Sequence, residues 1–183
     1  MLSVRFSRLP GPISLIASLL FVGTVQAQTS LAMPAMPDKP TLVGATLNGK
    51  PFTLASKRGD VVLVTFWATW CPICSDEMPV FRKFYEINKA NGFDLVAVSI
   101  DDNMRDLTNY ANQSNWMTGK AQVFPSLWRN AVGHKDDFGN VSVTPSAFLI
   151  DRDGKVIATF KGAIKREQWA RIQAAVDTPA KRQ

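Results

Sequence analysis

Residues 67–79, WATWCPICSDEMP, hold both cysteines of this 183-residue chain, Cys71 and Cys74. Such a pair serves as a redox dithiol, half of a metal site, a haem attachment or an inert structural disulfide. Haem attachment requires His directly after the second cysteine, and Ser75 stands there. A structural zinc site needs four ligands, whereas the chain offers two thiols and one imidazole, His134. A disulfide spanning so few residues closes a very small loop, where restriction of the unfolded chain stabilises least. The redox dithiol is left.

The flanking sequence places that dithiol. DVVLVTFW (60–67) is an unbroken β-branched and aromatic run, the pattern of a strand buried on both faces. A helix is predicted over 72–91, with Val80, Phe81, Phe84 and Ile87 on its apolar face. Cys71 then falls at the helix N-terminus, where unpaired N–H groups and the helix dipole stabilise a thiolate. Pro72 suits the first turn, which needs no N–H from it. Cys71 is therefore expected to be an exposed, low-pKa nucleophile, and Cys74, one turn deeper, the resolving thiol. Pro79 is expected to kink the helix.

Alternating elements extend on both sides. Asn48-Gly49 between two short apolar stretches in 41–54 signals a hairpin. FDLVAVSI (93–100) is a second buried strand, followed by a polar, helical stretch over 103–115. Strands are predicted at 147–150 and 155–160 about the turn 151–154, and a last helix at 165–176 with Trp169, Ile172 and Val176 inward. Strand, helix, strand, hairpin and helix make an α/β layered domain. The stretch 116–141 shows no clear period, and the lone His134 in it is expected at the surface and given no role. Asp101-Asp102 and Asp136-Asp137 are read as solvated faces or turns. No internal repeat is visible.

The N-terminus carries Arg5 and Arg8, an apolar run from Ile13 to Val25, and small residues at Val25 and Ala27, the layout of a secretory signal peptide. The run is interrupted by Ser14, Ser18, Gly23 and Thr24, short of the roughly 20 apolar residues that span a bilayer. The expected organisation is a signal peptide over 1–27, a linker over 28–40, one domain over 41–178 and a tail over 179–183. Membrane attachment would follow only if the signal segment were retained. Cleavage after Ala27 would place the cysteines in an oxidising compartment and leave 156 residues, enough for a full core. The net charge would fall from +6 to +4 with no long basic run, which argues against nucleic-acid binding. Met33 and Met36 in the linker are soft atoms that suit Cu(I), but two methionines in a tether are a thin basis for a copper site.

VVLVTFWATWCPICSDEMPVF, with the later TPSAFLIDRDGKV, resembles the thioredoxin-like family of exported bacterial thiol:disulfide oxidoreductases that contains TlpA, ResA and CcmG (DsbE). The resemblance runs from about Val43 to Val176. It implies a thioredoxin-like fold, a mixed central sheet flanked by helices, here with an N-terminal hairpin extension and a central insertion over 116–141. It further implies a Cys71–Cys74 disulfide in the oxidised state, and Thr144-Pro145 as a cis pair facing it. Backbone groups of Val143 and Thr144 beside that turn would be free to pair with an extended client strand. Trp70, Pro72 and Ile73, with Val143, Thr144 and Pro145, form the expected client-binding surface. Trp67 is expected in the core and Trp70 half exposed.

Two positions depart from ordinary thioredoxins, which keep a buried Asp where this chain has Thr65. The TlpA, ResA and CcmG group carries instead a Glu at the position of Glu77, on the helical face of Cys74. A carboxylate there takes the Cys74 proton, provided burial raises its pKa. The expected activity is reduction of disulfides in exported, periplasmic proteins, such as apocytochrome c or copper-site maturation factors. A membrane-embedded thiol donor would supply the electrons, and neither cofactor nor metal is called for. A disulfide-introducing oxidant of the same fold and a copper-binding module stay open as alternatives. A peroxidase of the peroxiredoxin kind fits less well, since the positions three before the cysteines are Ala68 and Cys71 rather than Thr.

Overall fold

The computed structural model describes residues 36–118 and 123–179. The expected signal peptide, the first part of the linker and residues 180–183 lie outside the described residues. Among these are strands β1 (Leu42–Ala45), β2 (Pro51–Thr53), β3 (Val61–Trp67), β4 (Phe93–Ser99), β5 (Ser126–Trp128), β6 (Lys135–Asp136), β7 (Ser146–Ile150) and β8 (Val156–Lys161), with helices α1 (Pro72–Asn88), α2 (Met104–Thr118) and α3 (Arg166–Asp177). None of these helices is long and apolar enough to cross a membrane.

A five-stranded sheet in the order β5-β4-β3-β7-β8 organises the domain. β3 pairs parallel with β4 and antiparallel with β7, from Val61 opposite Phe93 to Phe66 opposite Ser146. All seven residues of β3 and of β4 are buried, as continuous apolar runs require when both faces are covered. Side chains of β3 alternate between two cores. Val61, Leu63 and Trp67 join Phe81 of α1, Leu107 of α2, and Ile172 and Val176 of α3. Val62, Val64 and Phe66 join Leu42, Phe52, Leu54 and Phe138 on the other face. The α-helices thus contribute to one face only: two successive right-handed β-α-β crossovers in one direction put α1 and α2 there, and α3, after β8, packs into the same cluster. A small antiparallel sheet, β2-β1-β6, supplies strands beside the other.

The insertion is partly regular: β5 extends the large sheet and β6 completes the small one. The N-terminal segment touches both edges of the large sheet. Val156 of β8 donates its N–H to the Asp38 carbonyl at 2.9 Å, and Leu47 donates to the Ser126 carbonyl at 2.8 Å. Thr46 also bridges Leu127. Pro40 is buried and Met36 packs against the core, so ordered chain begins before Thr41.

The buried face of α1 differs from the expected one. Cys74, Glu77, Phe81 and Asn88 are buried, while Val80 and Ile87 are exposed. Each exposed residue precedes a buried one by a single position, about 100° around the helix. The α-helix ends at Asn88, and a short 3-10 turn, Lys89–Asn91, completes the stretch. Pro79 lies inside α1 without ending it.

His134 and Asp136, expected at the surface, have side chains only 3% exposed. His134 Nε2 donates to Asp136 Oδ2 at 3.0 Å, and Arg129 donates to both carboxylate oxygens at 2.7 and 2.8 Å. The Arg129 guanidinium also lies 4.9 Å from the centre of the Phe66 ring. Gly44 makes room for this cluster, since a Cβ there would come within 3.1 Å of His134 Nδ1. Burial alone would push the Asp136 pKa up, but hydrogen bonds from His134 and Arg129, the Arg129 charge and the Phe138 amide lower it to about 2. A depressed carboxyl pKa means stability present above the ordinary value of 3.8 and lost as pH falls through about 2. Replacing Asp136 by Asn is therefore expected to destabilise the domain by about 2–4 kcal/mol at neutral pH. Urea unfolding at a series of pH values should show the two proteins converging as pH falls from about 4 toward about 2.

Candidate active site

Cys71 is the N-cap of α1 in extended conformation (φ −99°, ψ 103°), with Pro72 opening the helix. Cys71 and Cys74 form a disulfide with Cα atoms 5.3 Å apart. Cys71 Sγ also accepts the Cys74 N–H at 3.2 Å, so a helix-terminal donor points at the sulfur. Cys71 is 5% and Cys74 1% exposed. The expectation of an exposed nucleophile is thus corrected for the oxidised state, in which Cys71 belongs to the helix-side core. Cys71 is nevertheless the more accessible of the two.

Trp67 is buried, whereas Trp70 is 63% exposed, more than expected. Pro72, Ile73 and Val143 are exposed too, and Thr144 is half-buried above a buried Pro145. Thr144-Pro145 is cis. Phe66 is paired with Ser146, so the antiparallel register carries Pro145 to the end of β3 from which the chain turns into Cys71. Gly162 N–H donates to the Pro145 carbonyl at 2.8 Å. The Val143 carbonyl accepts from Ser146 Oγ at 2.6 Å, so it is not free in the way the sequence suggested. Among the described residues, the Thr144 amide and carbonyl take no hydrogen bond.

Behind the disulfide, Glu77 is 8% exposed. Its Oε1 accepts the Ile164 N–H at 2.6 Å, and its Oε2 is buried with no partner. Burial pushes its pKa up, and the Ile164 hydrogen bond only partly opposes this. Thr65, where a thioredoxin has Asp, is buried with an unpartnered Oγ1 and offers no carboxylate. Glu77 is therefore a half-satisfied buried acid on the same helical face as Cys74.

Comparison with known proteins agrees with this geometry. The Redoxin family matches residues 30–176. The chain is 32% identical over 131 residues to the thiol-disulfide oxidoreductase ResA of Bacillus thuringiensis (strain Al Hakam), covering 72% of each chain. The chain belongs to the Redoxin family. It is a thioredoxin-like thiol:disulfide oxidoreductase of the TlpA, ResA and CcmG group. This oxidoreductase is also 30% identical over 127 residues to ResA of Bacillus subtilis (strain 168), covering 69% of this chain and 67% of that one. Among solved structures it resembles a thiol:disulfide interchange protein DsbE from Chlorobium tepidum, with TM-score 0.61 and 29% identity over 76% of this chain and 96% of that one.

Sequence reasoning missed the polar scaffold of the oxidoreductase. Asp101, read as solvated, is 1% exposed and takes hydrogen bonds from Thr69 and Ser99. The usable signal was its place at the carboxyl end of a buried parallel strand beside the one ending in WATWC, where α/β sheets form their crevices.

The raised pKa of Glu77 gives a sign for stability. A group whose folded pKa lies above its unfolded value contributes most below the unfolded pKa and loses that contribution as pH rises through the folded one. Glu77→Gln retains an acceptor for Ile164 and cannot ionise. The oxidised variant is expected to gain stability relative to the unaltered protein as pH rises above the ordinary carboxyl value of 4.5, as urea unfolding at each pH would measure.

Proposed function

We propose that the protein is an exported, periplasmic reductant of client disulfides, and that Cys71, Cys74 and Glu77 perform the exchange. The observation that carries this reading is the cysteine pair at the start of α1 backed by a buried acid with an open oxygen. In the reduced protein, the Cys71 thiolate attacks one sulfur of a client disulfide, and the other client sulfur leaves as a thiolate. Cys74 loses its proton to Glu77 and attacks Cys71 Sγ, breaking the mixed disulfide and releasing the second client thiol. Two electrons have passed to the client, and the Cys71–Cys74 disulfide remains. A membrane-embedded dithiol donor would restore the reduced state.

Trp70, Pro72 and Ile73 on one side and Val143, Thr144 and Pro145 on the other supply the client-binding surface in this reading. The exposed rings and aliphatic groups support it, as do the unpaired Thr144 amide and carbonyl, which suit an extended peptide. The signal-peptide layout of residues 1–27 supports export. Apocytochrome c and copper-site maturation factors are the client classes favoured.

Direction is tested by equilibrating the domain with glutathione. A potential near about −270 mV fits a reductant, and one near about −120 mV would make the protein an oxidant. Mass spectrometry should find a trapped client adduct on Cys71 in Cys74→Ala and none in Cys71→Ala. With both cysteines intact, Glu77→Gln is expected to slow resolution of the mixed disulfide roughly 10- to 100-fold. Unchanged resolution across the pH range would remove Glu77 from the mechanism.

A further inference from the structure

Asp101 joins the ends of three neighbouring parallel strands. Its carboxylate accepts the Thr69 N–H at 3.0 and 3.1 Å, the Thr69 hydroxyl at 2.6 Å and the Ser99 hydroxyl at 2.6 Å. Its own N–H donates to Ser99 Oγ at 3.1 Å. Its carbonyl accepts Trp128 Nε1–H at 2.7 Å and Asn130 Nδ2–H at 3.1 Å. Thr69 lies in the turn after β3, Ser99 ends β4, Trp128 ends β5, and Asn130 follows it. Because β3, β4 and β5 run parallel, these groups gather at one edge of the sheet, the edge that carries the dithiol.

The contact is directed at the reacting sulfur through only two residues. Thr69 precedes Cys71 by two positions, and the Cys71 N–H donates back to the Ala68 carbonyl at 3.2 Å. The backbone of the Ala68-Thr69-Trp70 turn decides where Cys71 enters the helix and how its Sγ meets the Cys74 N–H. Hydrogen bonds to a charged acceptor are worth roughly twice neutral ones, and Thr69 makes two, one from the backbone and one from the side chain. A turn of three residues has few other means of fixing its conformation.

We infer that Asp101 is a positioning residue for the dithiol, clamping Thr69 so that Cys71 is held at the helix N-terminus in the geometry for attack. The inference rests on Cys71 being the nucleophile. The step it serves is attack of the Cys71 thiolate on an external disulfide, which forms a Cys71–S bond, breaks the external S–S bond and releases the other sulfur as a thiolate. Misplacing a reacting atom by about 1 Å lowers a rate by up to about 100-fold. Loss of one of several bonds holding the turn is expected to cost about tenfold, within that limit.

The full-length protein carrying Cys74→Ala is reduced, mixed with oxidised glutathione, and the Cys71–glutathione adduct followed by mass spectrometry. Thr69→Val removes the hydroxyl and keeps the branched shape, Thr69→Ser keeps the hydroxyl, and Asp101→Asn removes two acceptor sites of the carboxylate. Adduct formation is expected to slow about tenfold in Thr69→Val and at least as much in Asp101→Asn, and to stay within about twofold in Thr69→Ser. Urea unfolding of each variant separates this from loss of fold, because a bond that only stabilises would shift the midpoint and leave the rate of folded protein unchanged. Equal rates in Thr69→Val, Thr69→Ser and the unaltered turn would overturn the clamp and leave the nucleophile intact. No adduct on Cys71 with the unaltered turn would overturn the nucleophile, and the clamp with it.

Discussion

The pairing of β3 on both sides, parallel to β4 and antiparallel to β7, is the constraint from which the active edge follows. Parallel pairing brings the carboxyl ends of β3 and β4 together, so the turn into Cys71 lies beside Asp101. Antiparallel pairing brings the amino end of β7 to the same level, so Pro145 and its neighbours lie there too. Residues separated by about 75 positions in sequence thereby share one edge without any contact between their side chains being required. The apolar runs that bury β3 and β4 on both faces hold this register, since a one-residue slip would exchange the occupants of two different cores.

Two buried carboxylates near this edge have opposite treatments. Asp101 is surrounded by donors, and its oxygens are engaged by Thr69 and Ser99. Glu77 has one oxygen bonded and one bare. A buried polar atom left without a partner costs about 1–3 kcal/mol, and it persists where the group has other work. The contrast is between a carboxylate whose oxygens are both engaged and one that keeps an oxygen open.

Much of this was legible in the sequence for physical reasons. The strand at 61–67 and the helix after it announced themselves by composition and by Pro72, and two cysteines with no further metal ligands narrowed the chemistry. Glu77 and Pro145 became visible through family resemblance, because one acid and one proline carry no periodic signal. The helix face was misjudged at Val80 and Ile87, which share a face with each other while the sheet contacts the face one step around. The burial of Asp101, Asp136 and His134 was invisible because it depends on how the chain folds back on itself, bringing Thr69 to Asp101, Arg129 across a short loop to Asp136, and the gap left by Gly44 to His134. Polar residues next to one another read as solvated until the fold shows which of them meet donors.

The segment ahead of β3 has a role that its composition conceals. Asp38 occupies the N–H of Val156 on the outer strand β8, and Thr46 and Leu47 lie along β5 at the opposite margin. An open sheet margin is a template on which another chain can add a strand. A protein shortened to begin at Thr41 would keep its dithiol but lose the buried Pro40 and the core contact of Met36, and it would free the Val156 N–H on the β8 margin for a strand of another chain.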